Sequence, residues 1–458
     1  MSAPTATGAR ITAPTTLPRT NMRGQRPVRG RFDHARVGAV LQDIYGPRVY
    51  ARMRTAGVDR RMMFGVNPHY WALAMGLGYI DPETGRETCP EMPPSKAVAA
   101  LILPRLGEVE DMDGSRDPAN QMDFTPQDDS YHGKLLHKYG EIVLGYASPV
   151  CSAHCRYCYR LDLFNKDTGK MRAMPEELRD YILDYNARVA AGAQGGYPVR
   201  ELLLSGGDPL VLTNALIYRY AVAAGQAGVE VFRLGTKEMA FRPARFDDAL
   251  AQTLRAVHAR FPDMHVNIVA HFSHPDEFLL RDADGAYVRN AGGTGLAWMP
   301  ESRAAVRRML DLGFVSIENQ TPIVRNVNDD SAALHTLHAE LRRAGVKPKY
   351  IFQGRDIEGH RAFSLPVEET WRIHNAAMRG LSDTARSRLA MSTEWGKMEI
   401  VSVTGPGGAG SLAEGVVVFK IHRSPGRAAP QGDLVIARCN PDAMWISDYE
   451  DRILYDGR

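Results

Sequence analysis

The chain has 458 residues, of which 44% are hydrophobic and 24% charged, and its formal net charge at pH 7 is +3. This composition is that of a globular protein with one large domain and appendages, or with two to three domains. The small net charge gives no support to nucleic-acid binding, and no run of about 18 apolar residues predicts a membrane-spanning helix. Only five cysteines occur, so a disulfide framework is not predicted.

The N-terminal quarter divides into two segments. Residues 1–31 contain no acidic side chain, and we predict a disordered basic tail there rather than a transit peptide. Residues 32–136 show helical patterns, with apolar spacing over 37–45, a cap at Asn67 and a further helix beginning at Ser95. We therefore assign a helical N-terminal region to 32–136.

From residue 137 to 396 short apolar runs alternate with helical stretches, which predicts parallel βα units. Six units suit a partial (β/α)6-type TIM barrel, an α/β fold whose active site lies at the carboxyl ends of the strands. The predicted strands are 142–146, 201–205, 229–235, 265–270, 314–318 and 349–353. Residues 397–458 contain two strand patterns, 416–422 and 433–438, and predict a small C-terminal β unit.

Three cysteines, Cys151, Cys155 and Cys158, form a C-x3-C-x2-C pattern directly after the first predicted strand. Three thiolates leave one corner of a metal site open, where a substrate or cosubstrate can bind. A zinc site with His154 or a distant residue as the fourth ligand is the alternative. A thiolate-rich loop needs a reducing compartment, so we expect a cytoplasmic protein.

The second predicted strand ends in Gly206, Gly207 and Asp208. Two glycines at a strand end let the backbone approach a ligand closely, and the carboxylate accepts hydrogen bonds from an ammonium group. Alone, such a turn is weak evidence. One βα unit after the cysteine loop, it is a candidate ligand cradle.

Five ordered segments resemble the lysine 2,3-aminomutase family of radical S-adenosylmethionine (SAM) enzymes. They are residues 151–160, 202–210, 271–277, 319–329 and 347–353. The resemblance implies that Cys151, Cys155 and Cys158 hold a [4Fe-4S] cluster and that Gly206, Gly207 and Asp208 hold the methionine part of SAM. It also places Tyr157 near the adenine and makes His271 and Gln320 SAM contacts.

The second cofactor of that family, pyridoxal phosphate (PLP), is doubtful here. Its lysine lies at the end of a Pro-Gly-Gly-Gly-Gly-Lys run in the family, where this chain has Ser411. Lys138, Tyr139 and Ile142 align with the family's phosphate-binding residues, and one arginine charge is lost. Lys397 or Lys420 is a possible substitute, but we expect each to be a surface strand residue.

The predicted substrate site also departs from the family pattern. Arg160 aligns with the arginine that binds the substrate carboxylate, whereas Gln353 and Thr404 align with the aspartates that bind the lysine ammonium group. An extra residue in loop 354–360 leaves open an inward shift of Asp356 or Glu358. The insert at residues 279–298 predicts a hairpin, either a lid over the site or a surface insertion.

The leading hypothesis is a radical SAM enzyme that abstracts hydrogen from an amino-acid-like substrate without PLP, in a desaturation, epimerisation, elimination or rearrangement. The alternatives are a PLP-dependent aminomutase with a displaced lysine, and a non-catalytic iron–sulfur protein. The sequence does not select the residue that returns hydrogen. The resemblance implies an electron donor such as flavodoxin or ferredoxin, and a homo-oligomer.

Overall fold

The structure, a computed structural model, describes residues 27–128, 130–160, 172–405, 414–425 and 432–458. Within these ranges the helices are α1 Ala35–Ala56, α2 Val58–Arg61, α3 Pro68–Met75, α4 Lys96–Ile102, α5 Gly107–Glu110, α6 Pro175–Ala190, α7 Asn214–Gln226, α8 Glu238–Phe241, α9 Asp248–Arg260, α10 Pro300–Leu310, α11 Ser331–Arg343 and α12 Val367–Ala377. The strands are β1 Val28–Gly30, β2 Phe64–Val66, β3 Tyr79–Ile80, β4 Glu87–Cys89, β5 Leu135–Tyr139, β6 Ile142–Ser148, β7 Glu201–Gly206, β8 Val231–Thr236, β9 His265–Ala270, β10 Val315–Pro322, β11 Lys347–Phe352, β12 Arg388–Thr393, β13 Gly396–Val403, β14 Val416–Arg423, β15 Leu434–Arg438 and β16 Ile453–Asp456.

Local sequence signals account for several helix starts. The Asn67 side chain accepts a hydrogen bond from the backbone N–H of Tyr70, and Pro68 occupies the first turn of α3. Ser95 caps α4 in the same way, by accepting from the N–H of Val98. Asp247 caps α9, which buries Leu250, Ala251, Leu254 and Val257 on one face. The predicted starts at Asn67 and Ser95 are confirmed.

One large sheet organises the fold. Within the described residues it has 12 strands, in the order β5 to β16. Strands β6 to β12 run parallel in chain order, and the helices α6, α7, α9, α10, α11 and α12 lie in the connections between them. The six predicted strands correspond to β6–β11. The mixed α/β class with successive βα units is therefore confirmed.

The C-terminal strands do not form a separate sheet. β12 turns into β13 through an antiparallel hairpin, and β14, β15 and β16 follow by antiparallel pairing. The predicted strands 416–422 and 433–438 correspond to β14 and β15, but they continue the large sheet. The prediction of a distinct β unit is corrected in this respect.

Side chains from distant strands of the sheet meet at β5. Lys138 on β5 donates from Nζ to the carbonyl of Thr393 at the end of β12. On β14, Arg423 forms an ion pair with Glu141, and its guanidinium lies 4.4 Å from the centre of the Tyr139 ring. Residues of β5 and the β5–β6 turn therefore contact β12 and β14, which lie beyond the parallel strands β6–β11 in the order of the sheet.

The insert predicted as a hairpin is one. Antiparallel bridges join Leu279 to Trp298, Arg281 to Tyr287 and Arg289 to Leu296. Its base packs through Trp298, whose ring centre lies 4.2 Å from that of Phe278. Toward its tip, the N–H of Leu296 donates to Glu340 of α11. The Tyr287 hydroxyl donates to Asp276 at 2.8 Å, so the insert also packs on the segment that follows β9.

The tail prediction extends too far along the chain. Val28–Gly30, inside the segment assigned to a disordered tail, forms strand β1 and pairs with Phe64–Val66. Residues 1–26 lie outside the described residues. Pairing brings Arg29 into the fold, where its guanidinium donates to the carbonyl of Cys151.

A buried ion pair joins the N-terminal region to the cysteine loop. Arg156 donates from Nε to Glu108 Oε1 at 3.1 Å and from Nη2 to Oε2. The two side chains are 0% and 1% exposed. Arg156 Nη1 also donates to the carbonyl of Met62 at 2.8 Å, and its backbone N–H donates to Leu101. Because both charges are removed from water, each is stabilised in the interior mainly by its partner, and loss of either one leaves a buried unpaired charge.

A second close contact joins the end of β7 to the chain that leads into the cysteines. The N–H of Asp208 donates to the carbonyl of Val150 at 2.8 Å, and the N–H of Gly207 donates to Ser148. A Cβ atom on Gly207 would lie 2.4 Å from the Val150 carbonyl oxygen, and one on Gly206 would lie 2.3 Å from that of Ser148. Gly206 also has a φ of 123°. The glycines are needed for this backbone approach.

We predict that Glu108→Gln lowers the free energy of unfolding by about 3–5 kcal/mol, because it leaves the Arg156 charge buried without its partner. The measurement is the chemical denaturation curve. Glu110→Gln is the matched control on the same helix, since Glu110 pairs with Arg52 where both side chains are exposed; its cost is about 1 kcal/mol or less. Equal losses in the two variants would contradict the prediction.

We predict that Gly207→Ala lowers the free energy of unfolding by about 1–3 kcal/mol, because the new Cβ collides with backbone atoms. Gly195→Ala is its control, since nothing lies within 4 Å of a Cβ there. That substitution is expected to change stability by about 0.5 kcal/mol or less. Denaturation curves of the two variants check the difference, and an unchanged Gly207→Ala protein would refute it.

Candidate active site

The cysteine loop follows β6, and the N-terminal region holds it in place. The His154 N–H donates to the carbonyl of Gly65 at 2.8 Å, and Nδ1 of the His154 ring hydrogen-bonds to the carbonyl of Met63 at 3.0 Å. The ring packs so closely on Gly65 that a Cβ there would lie 2.7 Å from Nδ1. Burial, followed by the Arg29 charge, lowers the pKa of His154 to about 3. These contacts give His154 a structural role in positioning the loop.

The three thiols are half-buried and form no disulfide. Burial raises the pKa of each thiol: that of Cys155 rises to about 12, and those of Cys151 and Cys158 also rise. The charges of Asp208, Cys158 and Cys155 raise the pKa of Cys151 further. Among the described residues, no group of three or more His, Cys, Asp and Glu side chains is arranged to hold a metal ion. The assignment of these cysteines as cluster ligands therefore stays a prediction.

Two buried carboxylates lie beside the cysteine loop. Asp208 is 2% exposed and accepts hydrogen bonds from the N–H groups of Leu210 and Lys237 and from the Thr236 hydroxyl. Burial raises the pKa of Asp208, and the nearby Glu238 raises it further. Glu238 is itself fully buried, with Arg242 Nε 3.4 Å away. Two carboxylates this close favour a cationic group between or beside them.

Tyr157, the aromatic residue within the cysteine motif, reaches the end of β9. Its hydroxyl lies 3.0 Å from Nε2 of His271 and 3.2 Å from the Ser273 hydroxyl. Lys237 donates to Ser273, to the carbonyl of His271 and to Glu277, the last at 2.7 Å. Burial, followed by the Lys237 charge, lowers the pKa of His271 well below its usual value. The structure thus joins Tyr157 and His271, two of the predicted SAM contacts.

Gln320 belongs to a different set of contacts. Its amide donates to Glu318 at 3.0 Å, and Glu318 also accepts from Arg233 at 2.7 Å and pairs with Lys349. This is a charged network between β8, β10 and β11. Gln320 has no hydrogen bond to Tyr157 or His271 among the described residues.

Arg160 lies at the end of the cysteine loop against β7. Its Nη1 donates to the Ser205 hydroxyl at 2.9 Å and to the carbonyl of Gly206. Its guanidinium carbon lies 4.8 Å from the centre of the Tyr159 ring and 5.3 Å from that of Tyr146. The Nε atom is buried without a hydrogen-bond partner. Arg160 is therefore held beside the cysteines, and its Nε–H group remains a hydrogen-bond donor without a partner in the described structure.

The other predicted substrate residues have different surroundings. Gln353 is buried, and its amide donates to the carbonyls of Leu365 and Met444, with Oε1 lacking a partner. Thr404 is exposed, and its hydroxyl accepts from the N–H of Val416 at 2.8 Å. Neither shares a hydrogen bond with Arg160 in the described structure.

The two acidic residues of loop 354–360 are already paired. Asp356 accepts two hydrogen bonds from Arg361, at 2.9 and 3.1 Å, and Glu358 lies 3.5 Å from Arg116. Asp356 is thus held by Arg361, whereas Glu358 has only the longer contact with the exposed Arg116.

Both Lys397 and Lys420 are predicted to be surface residues of strands. Lys420 is exposed, whereas Lys397 is half-buried. Lys397 Nζ lies over two stacked rings of β11, 4.2 Å from the centre of Tyr350 and 5.4 Å from that of Phe352. Burial, followed by the charges of Arg423 and Lys349, lowers its pKa to about 7. The expectation of a surface lysine at position 397 is wrong. Ser411, the other residue of the PLP argument, lies outside the described residues.

Sequence reasoning missed four charged residues near the site: Arg29, Lys237, Glu238 and Arg355. Lys237 and Glu238 directly follow β8, so their position at a parallel strand's carboxyl end was a usable signal. Arg355 lies in the loop that follows β11. Arg29 gave no signal, because only strand pairing with β2 brings it to Cys151.

The residue types present are those that the cofactors implied by the resemblance require. Three free thiols on one loop provide the ligand type of an iron–sulfur cluster with an open iron. The carboxylates of Asp208 and Glu238 beside that loop suit the ammonium group of an amino acid such as the methionine part of SAM.

No helix in the described ranges has the length and apolar character needed to cross a membrane. The chain matches no protein-family model. It is 29% identical over 365 residues to the putative L-lysine 2,3-aminomutase of Aquifex aeolicus (strain VF5), covering 79% of this chain and 84% of the relative.

Two further relatives have lower identity. The glutamate 2,3-aminomutase of Clostridioides difficile (strain 630) is 24% identical over 318 residues, covering 69% of this chain and 62% of the relative. The L-lysine 2,3-aminomutase of Fusobacterium nucleatum is 26% identical over 323 residues, with the same coverage of 69% and 62%.

Among solved structures, a radical SAM methyltransferase from Sphaerobacter thermophilus gives a TM-score of 0.34 at 14% identity, covering 57% of this chain and 72% of that one. A likeness this low does not establish a shared fold. Over most of its length the chain is therefore similar in sequence to proteins named as lysine 2,3-aminomutases and to a glutamate 2,3-aminomutase.

Proposed function

We propose that the protein uses a [4Fe-4S] cluster on Cys151, Cys155 and Cys158 and SAM held at Gly206–Asp208 to abstract hydrogen from an amino-acid-like substrate. The observation that supports this proposal is that three half-buried thiols lie near Asp208 and Glu238, at the ends of β6, β7 and β8. When bound, the cluster and SAM supply a 5′-deoxyadenosyl radical, which removes an unactivated hydrogen atom.

The chain's own residues bind, orient and exclude water. Asp208 and Glu238 balance the charge of a cationic group next to the cysteine loop. The Tyr157 hydroxyl and Nε2 of His271 share a hydrogen bond, which fixes the two rings relative to each other beside that loop. Arg160 presents a guanidinium for the substrate carboxylate, since its planar donors suit bidentate binding.

We further infer that β6–β12 curve into a partial barrel. The chain-order parallel pairing supports this, as do the contacts of Lys138 and Glu141 with β12 and β14. In such a barrel the cysteine loop opens at the carboxyl ends of the strands. An electron donor such as flavodoxin or ferredoxin, and a homo-oligomeric state, remain part of the proposal.

We propose that PLP is absent from the reaction. Ser411 has a hydroxyl where the family has its lysine. At the aligned phosphate positions, Lys138 donates to backbone carbonyls and Ile142 is a buried aliphatic residue. These features support a reaction other than the amino shift, such as desaturation, epimerisation, elimination or another rearrangement.

The PLP-dependent alternative now has one observation in its favour, which is Lys397. Burial lowers the pKa of Lys397 to about 7, which favours the uncharged amine, the form that attacks an aldehyde. Two aromatic rings beneath Nζ also suit a flat aromatic cofactor. Lys397 is therefore the displaced lysine to test.

We predict that the reconstituted protein forms 5′-deoxyadenosine from SAM and reductant, and that serine at position 151, 155 or 158 lowers the yield at least about 100-fold. Chromatography of the nucleoside and the iron content per chain are the measurements. Cys439→Ser is the control, because its sulfur contacts the carbonyl of Thr404 rather than the cysteine loop. Iron binding without any 5′-deoxyadenosine would instead favour a non-catalytic iron–sulfur protein.

For PLP, we predict no stoichiometric binding and no covalent lysine adduct after borohydride treatment, with or without PLP added. Absorbance and peptide mass spectrometry check this. An adduct on Lys397 that disappears in Lys397→Arg would overturn the PLP-free proposal. Lys420→Arg is the matched control, since Lys420 is exposed on the next strand.

A further inference from the structure

Arg355 lies beside Arg160 in the candidate active site and has no assigned role. Its guanidinium carbon is 4.1 Å from the centre of the Tyr159 ring, and that of Arg160 is 4.8 Å from the same centre. The two guanidinium groups therefore share one aromatic ring. Both influence the pKa of Cys158, which lies next to Tyr159 in the chain.

Neither arginine is neutralised by a carboxylate of the described residues. Arg160 donates only to a hydroxyl and a backbone carbonyl there. Arg355 has no ion pair within those ranges, and its Nη1 atom is buried without a hydrogen-bond partner. A buried guanidinium nitrogen that lacks a hydrogen-bond partner is costly unless a ligand supplies one.

The two acidic side chains that follow Arg355 in its loop contact other arginines. Asp356, adjacent to Arg355, is bound by Arg361 through two hydrogen bonds. Glu358 lies beside Arg116. Within this loop the carboxylates therefore contact Arg361 and Arg116, and neither forms an ion pair with Arg355.

A third cation adds to the positive charge. Burial lowers the pKa of Lys138 to about 8, and Arg355 is the next largest cause. Arg160 likewise contributes to lowering the pKa of Arg355, after burial. Asp117 acts in the opposite direction on both Lys138 and Arg355, but it forms no ion pair with either in the described structure.

We propose that Arg355 is a specificity-determining residue, and that the substrate is a small amino acid with two anionic groups, one bound by Arg160 and the other by Arg355. Guanidinium groups bind carboxylates and phosphates through paired hydrogen bonds, so both kinds of second group fit. A lysine-like substrate would bring a side-chain cation to Arg355 and be repelled. This inference rests on the proposed function, because it assigns Arg160 to the substrate carboxylate.

The test uses the full-length, anaerobically reconstituted protein with SAM. Calorimetry compares L-glutamate, O-phospho-L-serine, L-glutamine and L-lysine as ligands, and the same ligands are tested for stimulation of 5′-deoxyadenosine formation. Glutamine is the informative control, since it matches glutamate in shape but lacks the second charge. We expect glutamate or phosphoserine to bind about 10- to 100-fold more tightly than glutamine or lysine. The tighter of the two acids identifies the second group as carboxylate or phosphate.

Two variants separate specificity from structure. Arg355→Gln is expected to remove the preference for the acid over glutamine, and Arg355→Asp to bind lysine better than the parent protein does. Arg379→Gln, at an exposed arginine, is the matched control and keeps the parent preferences. A gain for lysine cannot arise from misfolding, and melting curves of each variant identify folded samples.

Several results would overturn the inference. One is equal binding of glutamate, phosphoserine, glutamine and lysine by the parent protein. Another is a loss of iron in Arg355→Gln with ligand preference unchanged, which would make Arg355 a partner of the cluster. Failure of the proposed function looks different, since no ligand would then yield 5′-deoxyadenosine although a calorimetric preference persists.

Discussion

The cysteine loop depends on the buried ion pair between Arg156 and Glu108. Arg156 stands between Cys155 and Cys158, so its guanidinium fixes the middle of the motif to helix α5. A loop that carries three thiols has little apolar surface of its own with which to pack. The N-terminal region supplies the missing anchors, through Glu108, Met62, Gly65 and Leu101 and through Arg29 on β1. The helical region is therefore part of the site's construction.

The second constraint is the backbone contact between the β7 turn and the chain before Cys151. It needs glycine at 206 and 207, because any Cβ there meets backbone atoms. The glycines therefore act on the protein's own cysteine loop, whatever their distance from a ligand. The same contact sets Asp208 beside the thiols, where Glu238 joins it from the next strand end. One glycine pair thus links the position of the cysteine loop to that of Asp208 and Glu238.

The remaining charged side chains of the interior are of two kinds, those with an ion-pair partner and those without one. Glu318 is paired with Arg233 and Lys349, while Arg160, Arg355 and Lys397 lack comparable partners among the described residues. Unbalanced positive charge in a buried site selects for anionic ligands and against cationic ones. A site that binds the lysine ammonium group requires negative charge, whereas these unpaired groups are positive. The unpaired charges therefore favour an acidic amino acid as the substrate.

The sequence by itself determined the elements that rest on local patterns. Helix caps at Asn67 and Ser95, six parallel strands and the C-x3-C-x2-C loop were readable because each depends on neighbouring residues. The family resemblance followed from the same motifs. The sequence did not reveal that Arg29 leaves the predicted tail to bind Cys151, that β13–β16 extend the large sheet, or that Lys397 lies over Tyr350. Only the tertiary structure decided these, since each arises from pairing between segments far apart in the chain, and burial then fixes which charges remain without partners.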